Sequence, residues 1–200
     1  MTGFTSVLER LTKLQPIVLV GGRSSRFGRD KLRELLGDGT WLVDRPIAAL
    51  RSVFGSRVAL VGDCDEAVAV RGDSVIRDAY PGVGPVGGIL SALREGADVF
   101  VLPGDLPHVT AELVRTVLNS AVAHPTSHAV LAQTDRVEPC VGVYRTSAIN
   151  TLEAFIAKQQ GRLADALSRE HVILVEVDAR ELVNANVPRD LKSHDPERAR

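Results

Sequence analysis

Ile17-Val-Leu-Val-Gly-Gly-Arg-Ser-Ser-Arg-Phe-Gly-Arg-Asp-Lys31 is the stretch on which the reading of this chain turns. Four apolar residues, Ile17 to Val20, have the length and composition of a buried strand. Gly21 and Gly22 end it, and a loop of small and cationic residues follows. Glycine lets backbone N–H groups approach an anion closely, and fixed cations hold it by charge. Gly21, Gly22 and Gly28 supply the first kind of grip; Arg23, Arg26, Arg29 and Lys31 supply the second. The segment predicts a nucleoside-triphosphate site at the C-terminal end of a first strand. It lacks the spacing of both the P-loop and the Gly-x-Gly-x-x-Gly dinucleotide turn.

Outward from this loop, apolar runs alternate with helical patterns. Strands are expected at 17–20, 58–61, 74–76, 99–102, 129–131, 140–144 and 172–177. Helices are expected at 43–54, from the 82–88 turn through Leu93, after Thr110, and near 147–158 and 162–168. Phe4, Val7, Leu8, Leu11 and Leu14 recur at helical spacing, which predicts an amphipathic helix over 4–14. Pro188 opens a last helical turn, and the chain beyond 192 reads as a loose tail. The 200 residues suit one α/β domain with a mostly parallel sheet covered on both faces. Such sheets bind ligands at the C-terminal edges of their strands.

Composition narrows the function. A net charge of −1 argues against a dedicated nucleic-acid binder. No apolar run approaches the ~20 residues of a membrane span, and Glu9, Arg10 and Lys13 interrupt any signal-peptide pattern. The five histidines are scattered along the chain. Cys64 and Cys140 read as reduced thiols, so the expected setting is the cytoplasm.

Further signals follow other strands. Leu102-Pro-Gly-Asp-Leu-Pro-His108 places Asp105 between two prolines just beyond an apolar strand, a stiff mount for a Mg²⁺-binding carboxylate. Gly82-Val-Gly-Pro-Val-Gly87 matches the dinucleotide pattern literally, but it lies mid-chain with Pro85 inside it. A turn bringing backbone at Pro85 and Gly87 close to a base or ribose fits better. Asp78 is either an acceptor for a nucleoside or a turn aspartate. Asn186 is either a helix cap or a site residue, and His108 reads as a surface loop histidine.

In order along the chain, these motifs resemble the MobA family, the molybdenum cofactor guanylyltransferases. The first loop is similar to that family's Leu-Ala-Gly-Gly-x-Ser-x-Arg-Met-Gly-x-Asp-Lys. Pro81-Gly-Val-Gly-Pro-Val-Gly-Gly88, Leu102-Pro-Gly-Asp-Leu-Pro107, Glu138-Pro-Cys-Val-Gly-Val-Tyr144 and Asn184-Ala-Asn-Val-Pro188 resemble its later motifs. The resemblance implies a three-layer α/β/α, Rossmann-like nucleotidyltransferase of the nucleotide-diphospho-sugar transferase type. It implies GMP transfer from GTP to molybdopterin with Mg²⁺ and release of pyrophosphate. It implies molybdoenzymes or other cofactor-biosynthesis proteins as further partners.

Carried over by position, Leu19, Val20, Gly21, Lys31, Gly62 and Asp78 would bind GTP, and Asp105 would hold the metal. Gly22 and Arg23 join that set from the loop itself, and Pro85 and Gly87 from the second turn. Lys31, Asp105 and Arg26 are the expected catalytic residues, with Arg23 and Arg26 offsetting charge on the pyrophosphate. Val20, Gly62, Gly104, Glu138 and Val187 depart from the family pattern. Glu138 stands where the family has histidine and would repel an anionic acceptor if it pointed inward. Two other readings stay open: a sister transferase using CTP or a sugar phosphate, and a nucleotide binder that does not transfer.

Overall fold

A computed structural model describes residues 14–21, 31–55, 57–158, 161–167 and 169–183. Seven strands form one sheet: β1 (Leu14–Leu19), β2 (Ala59–Val61), β3 (Ser74–Ile76), β4 (Asp98–Pro103), β5 (Ala129–Gln133), β6 (Val137–Tyr144) and β7 (Val172–Glu176). Their order is β3-β2-β1-β4-β6-β5-β7. Only β6 runs against its neighbours, pairing antiparallel with both β4 and β5.

The helices are α1 (Asp44–Phe54), the single turn α2 (Glu66–Ala69), α3 (Pro85–Leu93), α4 (Ala111–Ala123) and α5 (Ile149–Lys158). Side chains alternate along each strand, so one strand feeds both faces of the sheet. Val18, Leu60, Phe100 and Leu102 meet Ile47 and Leu50 of α1 and Leu113 and Val117 of α4. Ile17, Val61, Val99 and Val101 meet Ile89, Leu90 and Leu93 of α3 and Leu152 of α5. Two cores on opposite faces make the three layers read from the sequence, and explain why the central strands are largely apolar. Thr110 caps α4 as expected, its hydroxyl accepting from Leu113 N at 3.2 Å. No helix among the described residues is long and apolar enough to cross a membrane.

The structure corrects several boundaries. Leu14 belongs to β1, opposite Asp98 of β4, and not to a helix; residues 4–13 of the expected helix lie outside the described residues. A leucine at helical spacing serves equally well as a buried strand residue, and pairing with β4 along six positions decides it. The expected helix over 162–168 is a single 3₁₀ turn, Leu163–Asp165, after which Ala166 and Leu167 are buried. The helix expected near 147 opens with a 3₁₀ turn, Thr146–Ala148, before α5. Strand β6 starts at Val137, three residues earlier than expected. Pro188 and the tail after 192 lie outside the described residues.

Candidate active site

Strand β1 ends against its two neighbours. Val20 N donates to Val61 O at 2.9 Å, and Gly104 N donates to Leu19 O at 2.9 Å. Just past β2 the chain turns at Gly62, whose φ of +112° favours glycine. A Cβ there would stand 2.6 Å from Gly21 N and 2.7 Å from Gly21 Cα, inside contact distance. The two backbones cross where the cationic loop begins. Gly62→Ala is therefore expected to cost about 2 kcal/mol or more, lowering Tm by roughly 4–8 °C. A thermal melt beside the wild type checks this.

Lys31 opens a 3₁₀ turn, Lys31–Arg33, that points alternate ways: Leu32 is buried while Arg33 is exposed. Lys31 Nζ lies 2.5 Å from Asp105 Oδ2, joining groups 74 positions apart. Their side chains are 24% and 14% exposed, sheltered yet reachable from solvent. Asp105 stands just past β4, as its two prolines predicted.

The pair borders a cavity of about 320 Å³. Its origin is topological. Strands β4 and β6 pair only from Val99↔Tyr144 to Val101↔Gly142, and the cavity opens beyond that point. One wall is Pro103 to Leu106 and the other is Glu138 to Val141, with Leu19, Val20, Gly21, Leu32 and Pro85 closing the remainder and Leu182 at the rim. Between Leu131 and Ala132 of β5 the register jumps from Gly142 to Glu138 of β6. Such bulges re-aim side chains at sheet edges. The buried Tyr144 holds this wall, its hydroxyl donating to Pro139 O at 2.7 Å. Burial keeps that phenol neutral, its pKa pushed well up.

Of the residues expected from the sequence, Leu19, Val20, Gly21, Lys31, Pro85 and Asp105 meet at this cavity. Gly62 lies directly behind Gly21. Asp78 and Gly87 stand together at the start of α3 and do not line the cavity. Asp78 Oδ1 accepts from Tyr80 N at 2.8 Å, the turn role that the sequence had left open. A Cβ on Gly87 would lie 2.7 Å from Tyr80 O and 3.0 Å from that same Asp78 oxygen, so glycine lets the turn lie on the helix. Gly22, Arg23 and Arg26 lie outside the described residues.

Sequence reasoning missed most of the β6 wall. Glu138 does reach the cavity, and its Oε1 accepts from Arg136 Nε at 2.7 Å. The carboxylate is thus already paired. Cys140 sits between the two acidic groups; burial first, then Asp105 and Glu138, push its thiol up to about 12. It stays protonated at neutral pH and is no thiolate nucleophile. The Glu-Pro-Cys motif carried the only signal for this wall, since strand pairing is invisible in one sequence.

Asp105 offers hard carboxylate oxygens at the cavity, beside Lys31. No group of three or more His, Cys, Asp or Glu suited to a metal occurs among the described residues. A hard ion such as Mg²⁺ commonly takes one or two carboxylates and completes its shell with phosphates and water, so this donor set fits it.

A doubly covered sheet with its cavity at the strands' C-terminal edge, floored by glycine backbone and flanked by a lysine–aspartate pair, defines a nucleotide-binding α/β enzyme of the transferase type. The sequence profile of the MobA-like NTP transferase domain matches residues 16–173, and the chain belongs to that family. It is 31% identical to a probable molybdenum cofactor guanylyltransferase of Carboxydothermus hydrogenoformans, over 90% of this chain and 94% of the relative. It is 34% identical to a molybdenum cofactor guanylyltransferase of Rhizobium johnstonii, over 78% and 75%. The crystal structure of molybdopterin-guanine dinucleotide biosynthesis protein A from Archaeoglobus fulgidus superposes with a TM-score of 0.72 at 26% identity, covering 90% of this chain and 95% of that one.

Proposed function

We propose that this chain is a molybdenum cofactor guanylyltransferase that moves GMP from GTP to molybdopterin and releases pyrophosphate. The observation that carries the reading is Lys31 held against Asp105 beside a cavity at the end of β1. The names of its relatives support guanine as the base. Two free thiols support the cytoplasm as its setting.

A terminal phosphate oxygen of molybdopterin attacks the α-phosphorus of GTP. The bond from that phosphorus to the bridging oxygen breaks, and pyrophosphate leaves with the electron pair. The nucleophile is already anionic near neutral pH, so no side chain need remove a proton, which agrees with the neutral Cys140. Catalysis rests on positioning and on charge stabilisation. The ammonium of Lys31 offsets charge building on the departing phosphates, joined by Arg23 and Arg26 of the loop. The backbone at Gly21, with Gly62 packed behind it, lets the phosphates approach unobstructed. Asp105 would hold Mg²⁺, which when bound neutralises phosphate charge and orients the chain of phosphates. Arg136 offsets Glu138 and keeps that carboxylate from repelling the acceptor.

Mixing the protein with molybdopterin, Mg²⁺ and either GTP or CTP tests the reading. Pyrophosphate release with GTP, and at least about tenfold less with CTP, is the expected result; this gap needs only ~1.4 kcal/mol of differential transition-state binding. Preference for CTP overturns the base assignment. No release with any nucleotide overturns the transfer.

A further inference from the structure

The turn bearing Lys31 is tied down on its outer side by a residue to which the mechanism above gives no part. Arg33 Nη1 donates to Asp65 Oδ2 at 2.9 Å. Asp65 is itself fixed, because its other oxygen caps α2 by accepting from Val68 N at 2.9 Å. That capping bond, then Arg33, holds the Asp65 carboxyl below the usual range. The Arg33 guanidinium also lies 5.3 Å from the centre of the Trp41 ring. Trp41 is anchored in turn: its N donates to Asp44 Oδ2 at 2.9 Å, and Arg71 lies 4.2 Å from its ring. The 31–43 segment doubles back, with Leu35 bridged to Trp41 and Val43 N donating to Leu32 O at 3.2 Å.

Arg33 thus links the Lys31 turn to the 62–65 loop, whose first residue crosses Gly21. One exposed ion pair adds little to stability, and a cation over an aromatic ring adds about as little. Position is another matter, since displacement of a catalytic group by about 1 Å costs on the order of 10²-fold. Leu32 and the bond from Val43 N hold the inner side of the turn; Arg33, one residue on and facing outward, adds an attachment on the outer side.

We infer that Arg33 is a positioning residue for the transfer, acting through Lys31. This rests on the function proposed above. Its test is a double-mutant cycle on the full chain, measuring pyrophosphate release from GTP, Mg²⁺ and molybdopterin. Arg33→Ala is expected to lower kcat about tenfold while KM for GTP moves less than about twofold. Arg33→Lys, which can still reach one Asp65 oxygen, is expected to recover part of that loss. The Lys31→Ala, Arg33→Ala double variant is expected to be no slower than Lys31→Ala alone, because Arg33 has nothing left to position. A merely structural arginine would instead multiply its loss onto that of Lys31→Ala, and that outcome overturns the inference. So does a wild-type kcat in Arg33→Ala beside a defective Lys31→Ala. A wild type that releases no pyrophosphate, or a fully active Lys31→Ala, defeats the functional reading and this inference with it.

Discussion

Asp105→Ala is expected to lower the rate of GMP transfer by about 10³-fold or more while leaving the fold intact. The size follows from what the substitution removes: a carboxylate just past β4, paired with Lys31 at the cavity. The fold persists because the partner left behind, Lys31, is 24% exposed and can take up water in place of the lost ion pair. Circular dichroism and a melt close to wild type, beside pyrophosphate release at the detection limit, would bear this out. Full turnover of the variant with excess Mg²⁺ would remove Asp105 from the chemistry.

Lys31→Ala carries the second large effect. Its ammonium is expected to meet phosphates whose charge grows as pyrophosphate departs, so the loss falls mainly on kcat, by about 10²- to 10³-fold. Affinity for GTP should fall by a smaller factor, since part of the same attraction acts on bound substrate. Steady-state kinetics with titration calorimetry separate the two. Unchanged kinetics would show that the turn does not touch the phosphate chemistry, whatever its place in the cavity.

Much of this arrangement was legible in the chain. The Gly-Gly end of the first apolar run, the lysine closing the loop and the aspartate between prolines each follow a strand. In a parallel sheet, strand ends converge on one edge, so residues 74 positions apart were expected to meet, and Lys31 and Asp105 do. What stayed hidden depends on pairing. Leu14 fitted a helix by spacing and a strand by burial, and only the partnership with β4 separates the two. Glu138 and Cys140 became cavity wall because β6 pairs with β4 only from Gly142 onward, which no local pattern announces. Arg33 drew no reading from the sequence; its significance lies in Asp65, 32 positions away on a different turn. Asp78 carried two readings by sequence, and its Oδ1 makes the turn bond from Tyr80 N.

The crossing of Gly21 and Gly62 has a consequence for variation in this protein. When two bulky residues collide, trimming one can make room for the other; here both partners are already the smallest residue there is. A side chain introduced on the Gly62 side has no compensating exchange across the contact, because there is no atom left to give up. The pivot from which the loop springs admits no second-site suppressor at its own partner.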